Sequence, residues 1–295
     1  MSVSVVVPVY NTGVDLDRTV PAVLALESVD EWVWVDDGST DDSAERVEAA
    51  LAGEPRARLV RQPRNTGRGA ARNRGVAETS GSTLVFFDAD VDPPPHAAEA
   101  LVEAVGDGVA SVGRVRSVLS DPDDPYQVYL ARGRRGPRPD RAGRSVSWRF
   151  FLSGVCAVRR AALDAAGGFD EAIEYGEDFA LARVLSGLAP SGLSLADVEV
   201  QVLGVGGLRQ ALANARAFGA SLPSVEARHP GAYDLAGVGG AVRSPVLRAL
   251  AGRPAPAGTE RVLRRLPRSL QARAVRYLLG HALLVGVHGA RDSTP

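Results

Sequence analysis

Thr83-Leu84-Val85-Phe86-Phe87-Asp88-Ala89-Asp90-Val91-Asp92 runs straight into Pro93-Pro94-Pro95. Its first half is apolar, β-branched and aromatic, the composition of a strand buried on both faces of a parallel sheet. Its second half sets carboxylates at alternate positions. The prolines carry no N–H for a ladder, so the strand ends at the acids. In open α/β sheets, ligands bind just beyond the carboxyl ends of strands. Crowded acids repel one another, and a hard divalent cation held by oxygen relieves that repulsion. The segment therefore reads as a metal–diphosphate site, with a solvated acidic turn as the plainer alternative.

Working outward, Val3-Ser4-Val5-Val6-Val7 is a β-branched run stopped at Pro8, which predicts a first, central strand. Tyr10-Asn11-Thr12-Gly13 makes a turn, and residues 15–26 have helical spacing through Leu16, Val20, Val23 and Leu24. Trp32-Val33-Trp34-Val35 predicts a second strand, ending in Asp36-Asp37-Gly38-Ser39. A helix capped by Ser39, Thr40 or Asp41 follows to about residue 51. Leu59-Val60 predicts a short third strand, and Asn65-Thr66-Gly67-Arg68-Gly69 a loop opening the next helix. After the acidic strand come a helix over 96–105 and a strand near 109–115. Residues 146–158 are strand-like, 159–166 a short helix closed by Gly167-Gly168, and Glu177-Asp178 opens a helix to about 188. Strands alternating with helices at this spacing predict an α/β fold with a doubly wound, mostly parallel sheet and helices on both faces.

Two stretches fall outside that alternation. Residues 120–144 are rich in Pro, Asp, Gly and Arg, with six arginines between Arg132 and Arg144. This is either a mobile surface loop or one that closes over an anionic substrate. After about Gly207 the character changes. Residues 208–222 predict a helix ended by Pro223, residues 223–258 are punctuated by Gly and Pro, and residues 260–289 are helical. That last stretch is basic first (Arg261, Arg264, Arg265, Arg268, Arg273, Arg276) and apolar later (Leu278, Leu279, Leu283, Leu284, Val285, Val287). It reads as a helix packed on the main domain, in preference to a peripheral membrane contact, because Gly280 and Gly286 interrupt it. The expected division is a domain over 1–206 and a mainly helical appendage over 207–295.

A formal net charge of -1 over 295 residues gives no field favouring nucleic acid. All 34 basic residues are arginine. The single cysteine, Cys156, allows no internal disulfide and suits a reducing compartment. No secretory leader is legible at residues 2–9 and no uninterrupted apolar run reaches membrane-spanning length. The expected location is cytoplasmic, with membrane association at the inner face if residues 260–289 touch lipid.

Taken in order, Val6-Val7-Pro8-Val9-Tyr10-Asn11, Asp36-Asp37-Gly38-Ser39-Thr40-Asp41, Asn65-Thr66-Gly67-Arg68-Gly69-Ala70-Ala71-Arg72-Asn73, Asp88-Ala89-Asp90, and Gly167-Gly168-Phe169-Asp170-Glu171 with Glu177-Asp178 resemble the motifs of the family 2 inverting glycosyltransferases of the GT-A fold. The resemblance covers about residues 1–206. It implies a hexosyltransferase-type enzyme moving a sugar from a nucleotide-sugar donor, a UDP-sugar favoured, to an acceptor hydroxyl on a glycan, lipid-linked or small molecule. Pro8, Tyr10 and Asn11 would wall the base pocket, with Asp37 accepting the base N–H and Asp36 supporting it. Gly67 would let the backbone approach the nucleotide, and Arg72 would add positive charge beside it. Asp88 and Ala89 would lie at the ribose, Asp90 with Asp88 would hold Mg²⁺ or Mn²⁺, and Asp178 would be the general base, with Glu177 as its alternate. Asp41 and Asp170 read as cap or turn residues, His96 as surface, and Asp92 as either an outer metal contact or a cap. Residues 200–208 hold no His, where many relatives close the metal site. Nor does Gln210 open a Gln-x-x-Arg-Trp segment, which speaks against a processive polysaccharide synthase.

Two other functions fit less well. A nucleotidyltransferase on a similar sheet would open with a Gly-rich basic phosphate loop, which Tyr10-Asn11-Thr12-Gly13 is not. A catalytically silent glycosyltransferase-like binding module would not need acids at 37, 88, 90 and 178. A dinucleotide-dependent oxidoreductase is excluded by the missing Gly-x-Gly-x-x-Gly after the first strand.

Overall fold

The computed structural model describes residues 1–132, 142–189, 192–235 and 259–292. The chain forms two compact units, one of Met1–Arg116 with Gly136–Leu203 and the other of Ser117–Arg135 with Gly204–Pro295. The division therefore does not fall at a single point near residue 206, because Ser117–Arg135 belongs with the C-terminal segment.

The first unit is built on a mixed sheet whose strands run in the order β3-β2-β1-β4-β8-β6-β9-β5, with β7 paired to β9. β1 (Val3–Val9), β2 (Glu31–Asp36), β3 (Ala57–Arg61) and β4 (Thr83–Phe87) are parallel, with Val5 opposite both Trp32 and Val85. β5 (Val91–Asp92), β6 (Ala110–Ser117), β7 (Ser145–Val146), β8 (Val155–Arg159) and β9 (Leu193–Val202) add an antiparallel half, in which β8 joins β4 through Val85–Ala157. Both faces are covered. Val5, Val7, Trp32 and Trp34 face a core completed by α1 (Leu16–Leu24), α2 (Ser43–Leu51) and α4 (Ala97–Val105). Val33 and Val35 point the other way, onto Ala71 of α3 (Arg68–Ala77). Period-two alternation thus sends one side of each strand to each helix layer, which explains the near-continuous apolar runs.

β4 ends at Phe87 as expected, but the prolines do not end it. Residues 88–90 turn, and Val91–Asp92 then pairs with β9 as β5, with the Leu203 N–H donating to the Asp90 carbonyl at 2.6 Å. The prolines close β5. The strand-like stretch 146–158 resolves into β7, a 3₁₀ turn at Trp148–Phe150 anchored by the Trp148 indole N–H on the Ala189 carbonyl at 3.1 Å, and β8. The remaining helices of this unit are α6 (Arg160–Ala165) and α7 (Glu177–Leu188).

The second unit contains α5 (Pro125–Arg132), α8 (Leu208–Arg228), α9 (Ala232–Leu235), α10 (Thr259–Leu263) and α11 (Arg268–Asp292). α8 continues through Pro223 instead of ending before it. A proline forfeits one backbone hydrogen bond, and here burial of Leu222 and Val225 on either side outweighs that loss. α8 and α11 cross at glycines: a Cβ on Gly219 would lie 2.0 Å from the Leu283 carbonyl oxygen, and one on Gly286 2.0 Å from that of Arg216. So Gly286, read in the sequence as a helix interruption, is a contact point. Asp124 is buried and knits the unit together, its Oδ1 accepting from the Tyr126 and Gln127 N–H groups at 2.9 and 3.0 Å and its Oδ2 from Leu208 at 3.2 Å. The arginines expected to close over a substrate lie mostly at 133–141, outside the described residues.

Candidate functional site

The loops beyond the carboxyl ends of β1 and β4, with the start of α3 and the segment before α7, enclose a cavity of about 540 Å³ in the first unit. Of the residues singled out in the sequence, it is lined by Pro8, Tyr10, Asn11, Asp37, Gly67, Arg72, Asp88, Ala89 and Asp90. Asp36, Glu177 and Asp178 do not line it. Asp15, Asn65, Arg68, Glu174 and Tyr175 do, and were not expected.

Asp37 is buried and already well supplied with donors. Its Oδ1 accepts from the Thr66 N–H at 2.8 Å, the Thr66 hydroxyl at 2.9 Å and the Gln62 amide at 2.8 Å, and its Oδ2 accepts from the Gly67 N–H at 2.8 Å. This carboxylate therefore also holds the 65–67 loop, and Oδ2, with a single donor among the described residues, keeps spare acceptor capacity. Gly67, at φ 96°, takes a left-handed conformation immediately before α3, one that a side chain would strain. Asp36 accepts from the Ser39 N–H at 3.1 Å and shapes the same turn. Asn11, itself at φ 49°, accepts from the Thr40 N–H at 2.8 Å and ties the β1 loop to the β2 loop.

Arg72 is buried to 1% exposure and bridges two acids. Nη1 donates to Glu177 Oε1 at 2.9 Å and Nη2 to Asp88 Oδ1 at 2.7 Å. Its guanidinium lies 5.4 Å from the Phe169 ring, and that ring meets Phe86 edge-on at 5.5 Å. The positive charge expected beside a nucleotide lines the cavity and is ion-paired with two carboxylates. Glu177, offered as an alternate base, is a buried ion-pair partner. The Gly167–Glu171 motif is scaffolding as well: Asn73 Nδ2 donates to the Phe169 carbonyl and to Glu171 Oε1, each at 2.9 Å, while Asn73 Oδ1 accepts the Phe169 N–H at 2.9 Å.

Two carboxylates are pushed up to about 7. Asp90 is raised first by burial, then by the charge on Asp88 and, less, by Asp15. Asp178, half-buried at the first turn of α7, is raised first by burial and then by Glu177. Asp90 makes no ion pair among the described residues, whereas Asp88 pairs with Arg72 through Oδ1. Among the described residues no cluster of three His, Cys, Asp or Glu is assembled for a metal. Two carboxylates, one ion-paired and one desolvated and unpaired, still fit an octahedral divalent cation, which binds through one or two carboxylates with waters and substrate phosphates. Asp92 is not part of that set, since its Oδ2 accepts from Arg18 Nε at 2.8 Å. Asp41 accepts the Ser43 N–H at 3.0 Å and Asp170 that of Ala172 at 3.1 Å, both turn contacts, and His96 is exposed.

Gly154 also shapes the site. The Asp88 N–H donates to its carbonyl at 3.1 Å, and a Cβ there would lie 2.1 Å from Asp88 Oδ2. Its only signal in the sequence is a Ser-Gly pair ahead of a buried strand. Arg68 sits 5.5 Å from the Tyr175 ring and 3.8 Å from Glu177.

Residues 4–167, more than half of the chain, match the family described as Glycosyl transferase family 2. Over 125 residues the chain is 38% identical to an undecaprenyl-phosphate 4-deoxy-4-formamido-L-arabinose transferase of Yersinia enterocolitica, covering 40% of this chain and 38% of that protein. The same transferase of Yersinia pestis is 37% identical over the same length. The match thus takes in well under half of these relatives. Among solved structures, mannosyltransferase PcManGT from Pyrobaculum calidifontis, in complex with GDP-Man and Mn²⁺, superposes with a TM-score of 0.61 at 20% identity, covering 99% of this chain and 88% of that one. S. aureus TarS 1-349 in complex with UDP-GlcNAc gives 0.58 at 17% identity, covering 100% and 93%. At these identities the likeness is one of fold.

Proposed function

The chain belongs to glycosyl transferase family 2 and has the GT-A fold, and from that premise we propose that its first unit transfers a sugar from a nucleotide-sugar donor to an acceptor carried on a lipid, with inversion at the anomeric carbon. The observation that carries this reading is the cavity at the carboxyl ends of β1 and β4, lined by Asp88 and Asp90 together with Tyr10, Asn11 and Asp37. The donor's base lies against Pro8, Tyr10 and Asn11, its N–H reaching the spare lone pair of Asp37. The ribose lies at Asp88 and Ala89. Asp90 and Asp88 would hold Mg²⁺ or Mn²⁺, which supplies positive charge against the leaving diphosphate. Arg68 adds a cation on the same side of the cavity, and Arg72 fixes Asp88 in place. A UDP-sugar remains the favoured donor, and UDP-GlcNAc and GDP-Man, bound in the two structural neighbours, are nucleotide-sugars of this class.

Asp178 takes the proton of the acceptor oxygen as that oxygen forms its bond to the anomeric carbon and the diphosphate departs. A carboxylate raised to about 7 is matched to that task near neutral pH. Asp178→Asn retains the shape and loses the proton acceptor. Transfer to a hydroxyl acceptor should then slow by at least ~100-fold while donor affinity is unchanged. The relatives' names give a second reading, in which the attacking oxygen belongs to a polyprenyl phosphate. Such a phosphate is largely dianionic at pH 7, with a second pKa near ~6, and needs no base. Assaying Asp178→Asn with polyprenyl phosphate and with a hydroxyl acceptor separates the two. Transfer at the wild-type rate to both would remove Asp178 from the mechanism.

A further inference from the structure

The second unit carries a surface that its own packing leaves unused. On α11, Gln271, Val275, Leu284 and Val287 are buried, whereas Leu270, Arg273, Arg276 and Tyr277 are exposed. Positions three, four and seven apart share one face of a helix, so these four form a single stripe. Leu270 is 46% exposed and Tyr277 65%. On α10, Val262 is 63% exposed, between Arg261 and the exposed Arg265. Arg264 and Arg268 have carboxylate partners in Asp121, Glu260 and Asp123. Arg261, Arg265, Arg273 and Arg276 have none among the described residues. Glu260 is the one acid between residues 259 and 290. An ordinary wet helix face mixes both signs of charge and keeps its apolar groups inside. This one is predominantly basic, with Glu260 its one acid, and sets apolar and aromatic side chains among the arginines.

We propose that the exposed face of α10 and α11 docks on an anionic lipid bilayer. Val262, Leu270 and Tyr277 enter the interface and the four free arginines meet lipid phosphates, the usual division of labour for a helix lying in the plane of a membrane. No described helix is long and apolar enough to cross one, so the contact is peripheral. Charge complementarity selects this occupant. Nucleic acid would also satisfy the arginines, but it offers Val262 and Leu270 no apolar medium. The inference rests on the reading that the acceptor is carried on a lipid, for which such a face supplies the address.

Co-sedimentation of the full chain with phosphatidylglycerol-containing vesicles, with phosphatidylcholine vesicles and with an RNA oligomer tests it. Two double variants are compared with wild type, Leu270→Asp with Tyr277→Asp, and Arg273→Glu with Arg276→Glu. Wild type should bind the anionic vesicles at least ~10-fold more tightly than the neutral ones, and less tightly as salt is raised. Each double variant should lose at least ~10-fold of that binding while its thermal shift with donor stays as in wild type. Equal binding to both vesicle types, variants that bind like wild type, or tighter binding to RNA than to vesicles would overturn the proposal. So would a self-association that these variants abolish without any vesicle binding. Tight vesicle binding with no transfer to polyprenyl phosphate in those vesicles would leave the docking face standing and overturn only the lipid-acceptor reading.

Discussion

Arg72 gives one guanidinium to two carboxylates, one of them the buried Glu177, and this fixes what its replacement does. Arg72→Met leaves the buried Glu177 with only the exposed Arg68 at 3.8 Å among the described residues, and breaking a buried pair from one side costs about 3–5 kcal/mol. Arg72→Lys keeps the charge but cannot form both arms of the fork, so it should fall between Met and wild type in urea denaturation. Asp90 has the opposite character. Its carboxyl, ordinarily near 3.8, is raised to about 7, so between those values the folded chain holds a proton that the unfolded chain has released. Stability of the metal-free protein should therefore fall as pH rises through that window. In chelator at pH 8, Asp90→Asn should melt roughly 2 °C or more above wild type, and the gap should close near pH 4.5. A variant that melts below wild type at pH 8 would show that the Asp90 carboxylate is not strained. Asp88 and Asp90 were legible in the sequence because apolar strand, acids and prolines adjoin one another. The Arg72 bridge was not, because its partners come from β4 and α7 and meet only when the sheet is assembled.

α7 begins with two acids that the fold treats differently, Glu177 turned onto Arg72 and Asp178 left half-buried with no cation in hydrogen-bonding contact among the described residues. If Asp178 is the base, the transfer rate to a hydroxyl acceptor should rise through about pH 7 and level off above it, and Asp178→Asn should flatten that rise. A rise that survives in the variant would assign the titration to another group. The α8–α11 crossing yields a prediction of a different kind. Gly219→Val places side-chain atoms where the Leu283 carbonyl already lies, so it should destabilise the second unit by about 1–3 kcal/mol or more, seen as earlier loss of helical signal on heating. These elements also mark the limits of local reading. Helical spacing and β-branched runs located β1, β2, β4, α3 and α7 closely, because each carries its own period. β5 escaped because two residues make a strand only through Val91 pairing with Val202 of β9, far along the chain. The full length of α8 escaped because Pro223 is a local stop signal that tertiary burial overrides.

Over the whole chain, the family match spans residues 4–167 and the fold likeness extends to nearly all of it. Pro8, Tyr10, Asn11, Gly67, Asp88 and Asp90, singled out in the sequence, line the cavity, since parallel α/β architecture puts ligand loops at predictable strand ends, whereas Asp36, Glu177 and Asp178 do not. The sequence did not anticipate that Ser117–Arg135 joins the C-terminal helices, a matter of packing rather than of local pattern. On the proposed function, the cavity binds a nucleotide-sugar through a cation held by Asp90 and Asp88. The most direct test is the melting temperature of the full chain across UDP-, GDP- and dTDP-sugars, with Mn²⁺ and with chelator, in wild type and Asp90→Asn. A ligand present at about 100 times its Kd stabilises by about 2.7 kcal/mol, a shift that is easily read. Cation-mediated binding predicts a rise in wild type with a UDP-sugar and Mn²⁺ together, little with either alone, and none in Asp90→Asn. Equal shifts with Mn²⁺ and with chelator, or in the variant and wild type, would contradict it.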